Sequence, residues 1–150
     1  MTPVFKNDNP DGWFLPEDVR KQLLDTFKSL KGEVVLEVFT QPGSSDEFNE
    51  YMVQFCTDLA RLTDLIKLQV FDIPSARANE LGVTASPTLC INPDDYHIRF
   101  LGAPLGEEGK AFITAIMLVS LKMSALSDVS APMLETLNEE RLAQVFVSPT

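Results

Sequence analysis

Glu33-Val34-Val35-Leu36-Glu37-Val38-Phe39-Thr40, followed by Gln41-Pro42-Gly43-Ser44-Ser45-Asp46-Glu47, decides how the rest of the chain is read. The first eight residues are rich in valine, with Leu36 and Phe39. They are too short and too β-branched for a helix, and Gln41-Pro42-Gly43 stops them, so a buried strand is expected. Beyond the turn, Phe48, Tyr51, Met52, Phe55, Leu59 and Leu62 lie three and four residues apart, which predicts a helix from about Asp46 to Thr63. Ile66 to Phe71 then alternates Ile66, Leu68 and Val70 with Lys67 and Gln69, the pattern of a second strand. Strand, helix and strand in this order make a parallel βαβ unit.

Working outward, Pro74 to Leu81 reads as a short helix ended by Gly82, and Thr88 to Asn92 as a strand that follows Pro87. The Asn92-Pro93-Asp94-Asp95 turn leads to a strand from His97 to Leu101, so these two form an antiparallel hairpin. A long helix is expected from about Glu107 to Met123, its paired acids suited to the helix dipole. Upstream, Val19, Leu23, Leu24, Phe27 and Leu30 give an amphipathic helix from Pro16 to Leu30. The predicted fold is α/β: a four-stranded mixed sheet, parallel βαβ then antiparallel hairpin, flanked by helices and preceded by an extra N-terminal helix. Residues 1–15 form an arm that docks through Trp13, Phe14 and Leu15; 16–124 form the folded unit; 125–150 carry a linker helix and a strand. That last strand is a repeat, because Val38-Phe39-Thr40-Gln41-Pro42 recurs as Val145-Phe146-Val147-Ser148-Pro149 after a similar leucine-bearing helical stretch. A period of domain length suggests tandem copies of one unit, the second cut off after its first strand.

The chain has 150 residues, enough for one domain with a sizeable core. Twelve basic against 22 acidic residues leave a formal charge of −10, which repels a phosphate backbone or an anionic membrane surface. Nucleic acid is therefore not expected as a partner. The longest apolar stretch, Ala111 to Leu121, is about half the ~20 residues that a bilayer requires. With no secretory pattern over Met1 to Asn9, a cytoplasmic location is expected. Cys56, Cys90 and the lone His97 are too few for a disulfide framework or for a zinc site, and no metal or cofactor is expected.

The strand-loop-helix around Ser44, the later Ala85-Ser86-Pro87-Thr88 and the Gly102-Ala103-Pro104 before the last helix resemble the thioredoxin fold. The likeness is closer to the first of two tandem thioredoxin-type units in glutaredoxin-like protein disulfide oxidoreductases, and to the N-terminal region of the alkyl hydroperoxide reductase flavoprotein. Asn92-Pro93 and Arg99 to Glu108 are especially similar to that region. Active members place Cys-x-x-Cys where this chain has Ser44-Ser45-Asp46-Glu47. Thiol–disulfide exchange needs a thiolate attacker and a resolving sulfur, and neither a hydroxyl nor a carboxylate supplies them. The four residues instead match an S-x-x-E capping box, with Ser44 and Glu47 bonding each other's backbone at the helix start. The resemblance implies that the first unit of the reductase family is redox-inactive. It also implies that a following unit carries Cys-x-x-Cys, beginning just beyond Thr150.

By the same resemblance Pro87 is the cis-proline facing the loop, and Ser86, Pro87 and Thr88 are the candidate binding residues for an extended peptide. Cys56 and Cys90 are expected to be buried and apolar in behaviour; a disulfide between them is the alternative, disfavoured in the cytoplasm. His97 is expected at the end of the sheet away from Ser44, too far for a Ser-His-acid triad. Asp94 with Asp95 reads as a turn and Glu107 with Glu108 as a helix start. The expected function is a redox-inactive scaffold or docking half of a disulfide- or peroxide-reducing system. Its partner would be the following thioredoxin-like unit or a redox protein, with a homodimer possible for the isolated chain, and the interface would lie on the helix from Glu107 and on Ser127 to Leu142. Two readings compete with it: a stand-alone peptide-binding module at the Pro87 edge, and a thiol oxidoreductase using Cys90 or Cys56 alone.

Overall fold

A computed structural model describes residues 10–148, so residues 1–9 of the expected arm and Pro149-Thr150 of the repeat lie outside the described residues. The elements run α1 (Glu17–Phe27), β1 (Val34–Thr40), α2 (Asp46–Leu62), β2 (Ile66–Asp72), α3 (Ala76–Glu80), β3 (Thr88–Ile91), β4 (Ile98–Leu101), α4 (Glu107–Leu121) and α5 (Ser130–Glu135). The sheet has the order β2-β1-β3-β4. β2 runs parallel to β1, Val38 opposite Val70 and Phe39 opposite Phe71, while β3 is antiparallel to both β1 and β4. The fold is thus the mixed four-stranded α/β sheet that the sequence predicts.

Alternation along the strands splits the interior in two. Val34, Leu36 and Val38 of β1 join Leu89 and Ile91 of β3 on one face. That face is covered by Leu23 and Phe27 of α1, Met52, Phe55, Cys56 and Leu59 of α2, and Phe112, Ile116 and Val119 of α4. Phe112 sits edge-on to both Phe55 and Phe100, at 5.7 and 5.6 Å. The other face holds a smaller core of Phe39, Cys90, Ala78 and Val83 beneath the five-residue α3. Glu37 points into this smaller layer, buried, and Arg77 of α3 grips it with two bonds of 2.8 Å. Arg77 also donates to Asp94 and Glu80, so the guanidinium is held in its charged form by three carboxylates.

Two local devices close the larger layer. Ser120 accepts from the N–H groups of Lys31 and Gly32 and donates to the Gly32 carbonyl at 2.7 Å, tying the end of α4 to the entry of β1. A Cβ on Gly32 would lie 3.0 Å from the Ser120 carbonyl oxygen, so this approach needs a glycine. The chain just before α1 packs on the larger layer. Leu15 is buried and its N–H donates to buried Asp58 at 2.7 Å, while the guanidinium groups of Arg61 and Arg20 both lie over the Trp13 ring, at 3.5 and 4.7 Å from its centroid.

Beyond α4 the chain leaves the core. α5 buries none of its residues, and 138–148 hold no regular helix or strand. The Val145 to Val147 segment, read as a strand, pairs with no strand among the described residues. No helix among the described residues is long and apolar enough to cross a membrane.

Candidate functional site

The loop after β1 meets the Ser86-Pro87 turn at one end of the sheet, where Thr40, Thr88 and Leu101 lie. The Ser86–Pro87 peptide bond is cis, and the Pro87 carbonyl accepts from the Gly102 N–H at 2.9 Å. The loop itself is exposed from Gln41 to Glu47. What fixes it is Asn49, buried on the first turns of α2. Its amide donates to the carbonyls of Gln41 (3.1 Å) and Ser44 (2.8 Å), and its Oδ1 accepts from the Ser86 hydroxyl at 2.7 Å. Ser86 in turn accepts from the Gln41 N–H at 2.7 Å. One asparagine and one serine thereby close a ring through both loops, with every partner nitrogen or oxygen.

The helix start differs from the capping box read in the sequence. Ser45, not Ser44, occupies the N-cap position, and no side chain caps α2. The reason is backbone geometry. Ser45 is left-handed, with φ 57° and ψ 42°, and its carbonyl receives the Phe48 and Asn49 N–H groups at 2.9 Å, which moves the cap one residue on and leaves Glu47 out of register for a box on Ser44. Asp46 turns back instead and accepts from the Gly43 N–H at 2.8 Å. Gly43 has φ 81°, a conformation that suits glycine.

No sulfur lies in this loop. Cys56 is in the three-helix layer and Cys90 in the layer beneath α3, so the sheet separates them; both are free thiols, and the alternative disulfide does not form. Burial pushes the Cys56 thiol far above its ordinary value, and burial is also the main cause that raises Cys90. Neither is the exposed, low-pKa thiolate that a single-cysteine oxidoreductase would need. His97 is exposed and precedes β4, at the opposite end of the sheet from Ser44. Asp94 with Asp95 forms the turn before β4, and Glu107 with Glu108 the first turn of α4, where burial raises the Glu108 carboxyl. Of the expected binding residues, Ser86 is half-buried and Pro87 and Thr88 are buried. The Thr88 hydroxyl is turned inward onto the Ala85 carbonyl at 2.7 Å. A shallow groove of about 410 Å³ runs beside the loop between Pro42 and Val53, rimmed by Asp46 and Glu50. No group of three metal-ligating side chains occurs among the described residues.

Sequence reasoning passed over Asn49 and the Glu37–Arg77 pair. The signals were present: an asparagine on the otherwise apolar inner face of a helix, and a glutamate in the middle of a buried strand.

No family model and no curated protein matches the chain. Solved structures do. A protein disulfide oxidoreductase from Aeropyrum pernix superposes with a TM-score of 0.72 at 27% identity over 81% of this chain and 55% of its own. The NTD_N/C domain of alkylhydroperoxide reductase AhpF from Enterococcus faecalis gives 0.65 at 26% identity, covering 77% of this chain and 57% of that one. AhpF from the same organism, as its C503A mutant, gives 0.68 at 23% identity over 82% of this chain and 61% of that one. The chain therefore spans little more than half the length of these structures. By fold and by these neighbours it is a thioredoxin-like α/β unit, similar to a protein disulfide oxidoreductase and to the N-terminal domain of AhpF.

Proposed function

We propose that this unit is redox-silent and serves as the scaffold or docking half of a disulfide- or peroxide-reducing system. Its partner is a following thioredoxin-like unit or a separate redox protein. The observation that carries the reading is the chemistry of the loop. By the resemblance Ser44 and Glu47 stand where active relatives place their two cysteines, and Asn49 and Ser86 tie the loop with bonds between nitrogen and oxygen alone. A serine hydroxyl neither attacks a disulfide at neutral pH nor leaves a mixed disulfide for a resolving thiol. The only two sulfhydryls in the chain are buried in separate layers. The likeness to a disulfide oxidoreductase and to an AhpF domain supports the system in which such a unit would work. Packing is what remains to it, and exposed apolar side chains such as Val129, Met133, Leu137 and Leu142 support a docking role for the segment after α4.

The test is an insulin-reduction or dithiol-reductase assay on the 150-residue chain with dithiothreitol as donor. The expected rate equals that of dithiothreitol alone; turnover above that background rejects the proposal.

A further inference from the structure

β2 is an edge strand of seven residues, bonded to β1 on one side and to no strand among the described residues on the other. It lies within the folded unit, between described elements, at the edge opposite β4, where α4 packs Phe112 on Phe100. The Val34 N–H donates to the Leu65 carbonyl and the Ile73 N–H to the Thr40 carbonyl, so the parallel register between these bonds turns the odd-numbered backbone groups of β2 toward β1. Those of Leu68, Val70 and Asp72 face outward. Open edges of this kind accept a further strand unless proline, charge, a bulge or another element guards them. From Leu68 to Phe71 there is neither proline nor charge, the register with β1 runs without a bulge, and Val70 is 47% exposed. Lys67 and Asp72, both exposed, stand at the two ends of this unguarded stretch.

We propose that the outer edge of β2 pairs with the same edge of a second copy, antiparallel about a two-fold axis at Gln69, so that two four-stranded sheets join into one. A two-fold normal to the sheet keeps each face on its own side, and the outward backbone groups must meet as bonded pairs, which restricts the centre to Leu68, Gln69 or Val70. A centre at Val70 opposes Leu68 to the partner's Asp72. A centre at Leu68 sets Asp64 against the partner's Asp72 and calls on the Ile66 N–H, which already donates to Thr63. The centre at Gln69 opposes Leu68 to the partner's Val70 twice over, on the face covered by α2, and lets the two Gln69 amides meet on the other face. There the stem of Lys67 covers the partner's half-buried Phe71, which Phe39 stacks on from its own side. Because the strands run in opposite directions, the Lys67 end of each meets the Asp72 end of the other, whereas a parallel pair would set lysine beside lysine. This inference concerns self-association and is independent of whether the unit is redox-silent; the docking role proposed above for the segment after α4 uses other residues.

Sedimentation of the purified chain at tens of micromolar, in salt of about 150 mM that screens charges further apart than about 8 Å, is expected to give twice the 16.7 kDa chain mass; a monomer overturns the proposal. Val70→Lys is expected to give a monomer with an unchanged circular-dichroism spectrum, since Val70 belongs to neither core cluster, and a persisting dimer overturns the assignment to this edge. The register has its own measurement. At a two-fold on Gln69 the two residues 69 face each other with Cα atoms about 4.5 Å apart, within reach of a disulfide, while the two residues 67 are about 13 Å apart. With the native cysteines buried, oxidation of Gln69→Cys is expected to give a disulfide-linked dimer and oxidation of Lys67→Cys none. Any other pattern overturns the two-fold at Gln69.

Discussion

Val38-Phe39 and Val145-Phe146 are the same two letters in two settings. Phe39 is fully buried, stacked on Phe71 and flanked by strands on both sides; Phe146 is 91% exposed and, among the described residues, flanked by none. Valine and phenylalanine favour an extended backbone in both places, yet only the first becomes a strand. β-propensity describes what fits a half-buried pleated surface, and that surface must be supplied by neighbours. The first copy has β2 and β3 beside it and α2 above it; the second has no strand beside it among the described residues.

The contrast can be broken most directly by truncation of each ring. Phe39→Ala is expected to lower stability by roughly 3–5 kcal/mol, whereas Phe146→Ala shifts it by no more than about 0.5 kcal/mol. Urea denaturation measures both, and comparable losses would erase the distinction. A second difference lies immediately downstream of the first copy, where Gln41, next after Thr40, is clamped by Asn49 and Ser86. Asn49→Ala strips partners from two carbonyls and one hydroxyl, and about 1–3 kcal/mol should be lost. Amide exchange at Gln41 and Gly43 should accelerate at the same time, and unchanged protection there would show that the ring does not hold the loop.

The smallest effect concerns the buried thiols. Cys56 in the folded chain stays protonated well above the ordinary thiol value, while in the unfolded chain it ionises near pH 8.5–9. Above that value the unfolded state binds fewer protons than the folded one, so stability falls as pH rises and is fully present below it. Urea midpoints compared between about pH 7 and pH 10 should show a decline that is shallower in Cys56→Ala. An aromatic disulfide reagent should likewise leave both cysteines unlabelled until urea is added. Rapid labelling of the native chain would revive a role for one of them.

Hydrophobic spacing made nearly all of the architecture legible. The three- and four-residue steps of α2, the alternation of β2 and the Asn92-Pro93 turn each rest on local chemistry that the tertiary structure then leaves in place. The capping box failed for a reason that spacing does not contain. Ser-x-x-Glu specifies a cap only if the serine has extended backbone angles, and here the left-handed Ser45 takes the position. Asn49 escaped notice because its function depends on Gln41 and Ser86, the latter 37 residues away, which only the folded chain brings together. That Ser44 and Glu47 carry no sulfur is read from the sequence without coordinates.

Glu37 has a consequence beyond its grip on α3. Five of the six residues from Val34 to Phe39 are apolar, and such a run would be nearly as content turned over, its odd positions exchanged for its even ones. A slide of one residue would press the carboxylate into the hydrocarbon between α2 and α4 and leave the Arg77 guanidinium without its bidentate anion. The single acid in the middle strand thus acts as a key cut on one side only: it tells an otherwise ambidextrous ribbon which way up to lie.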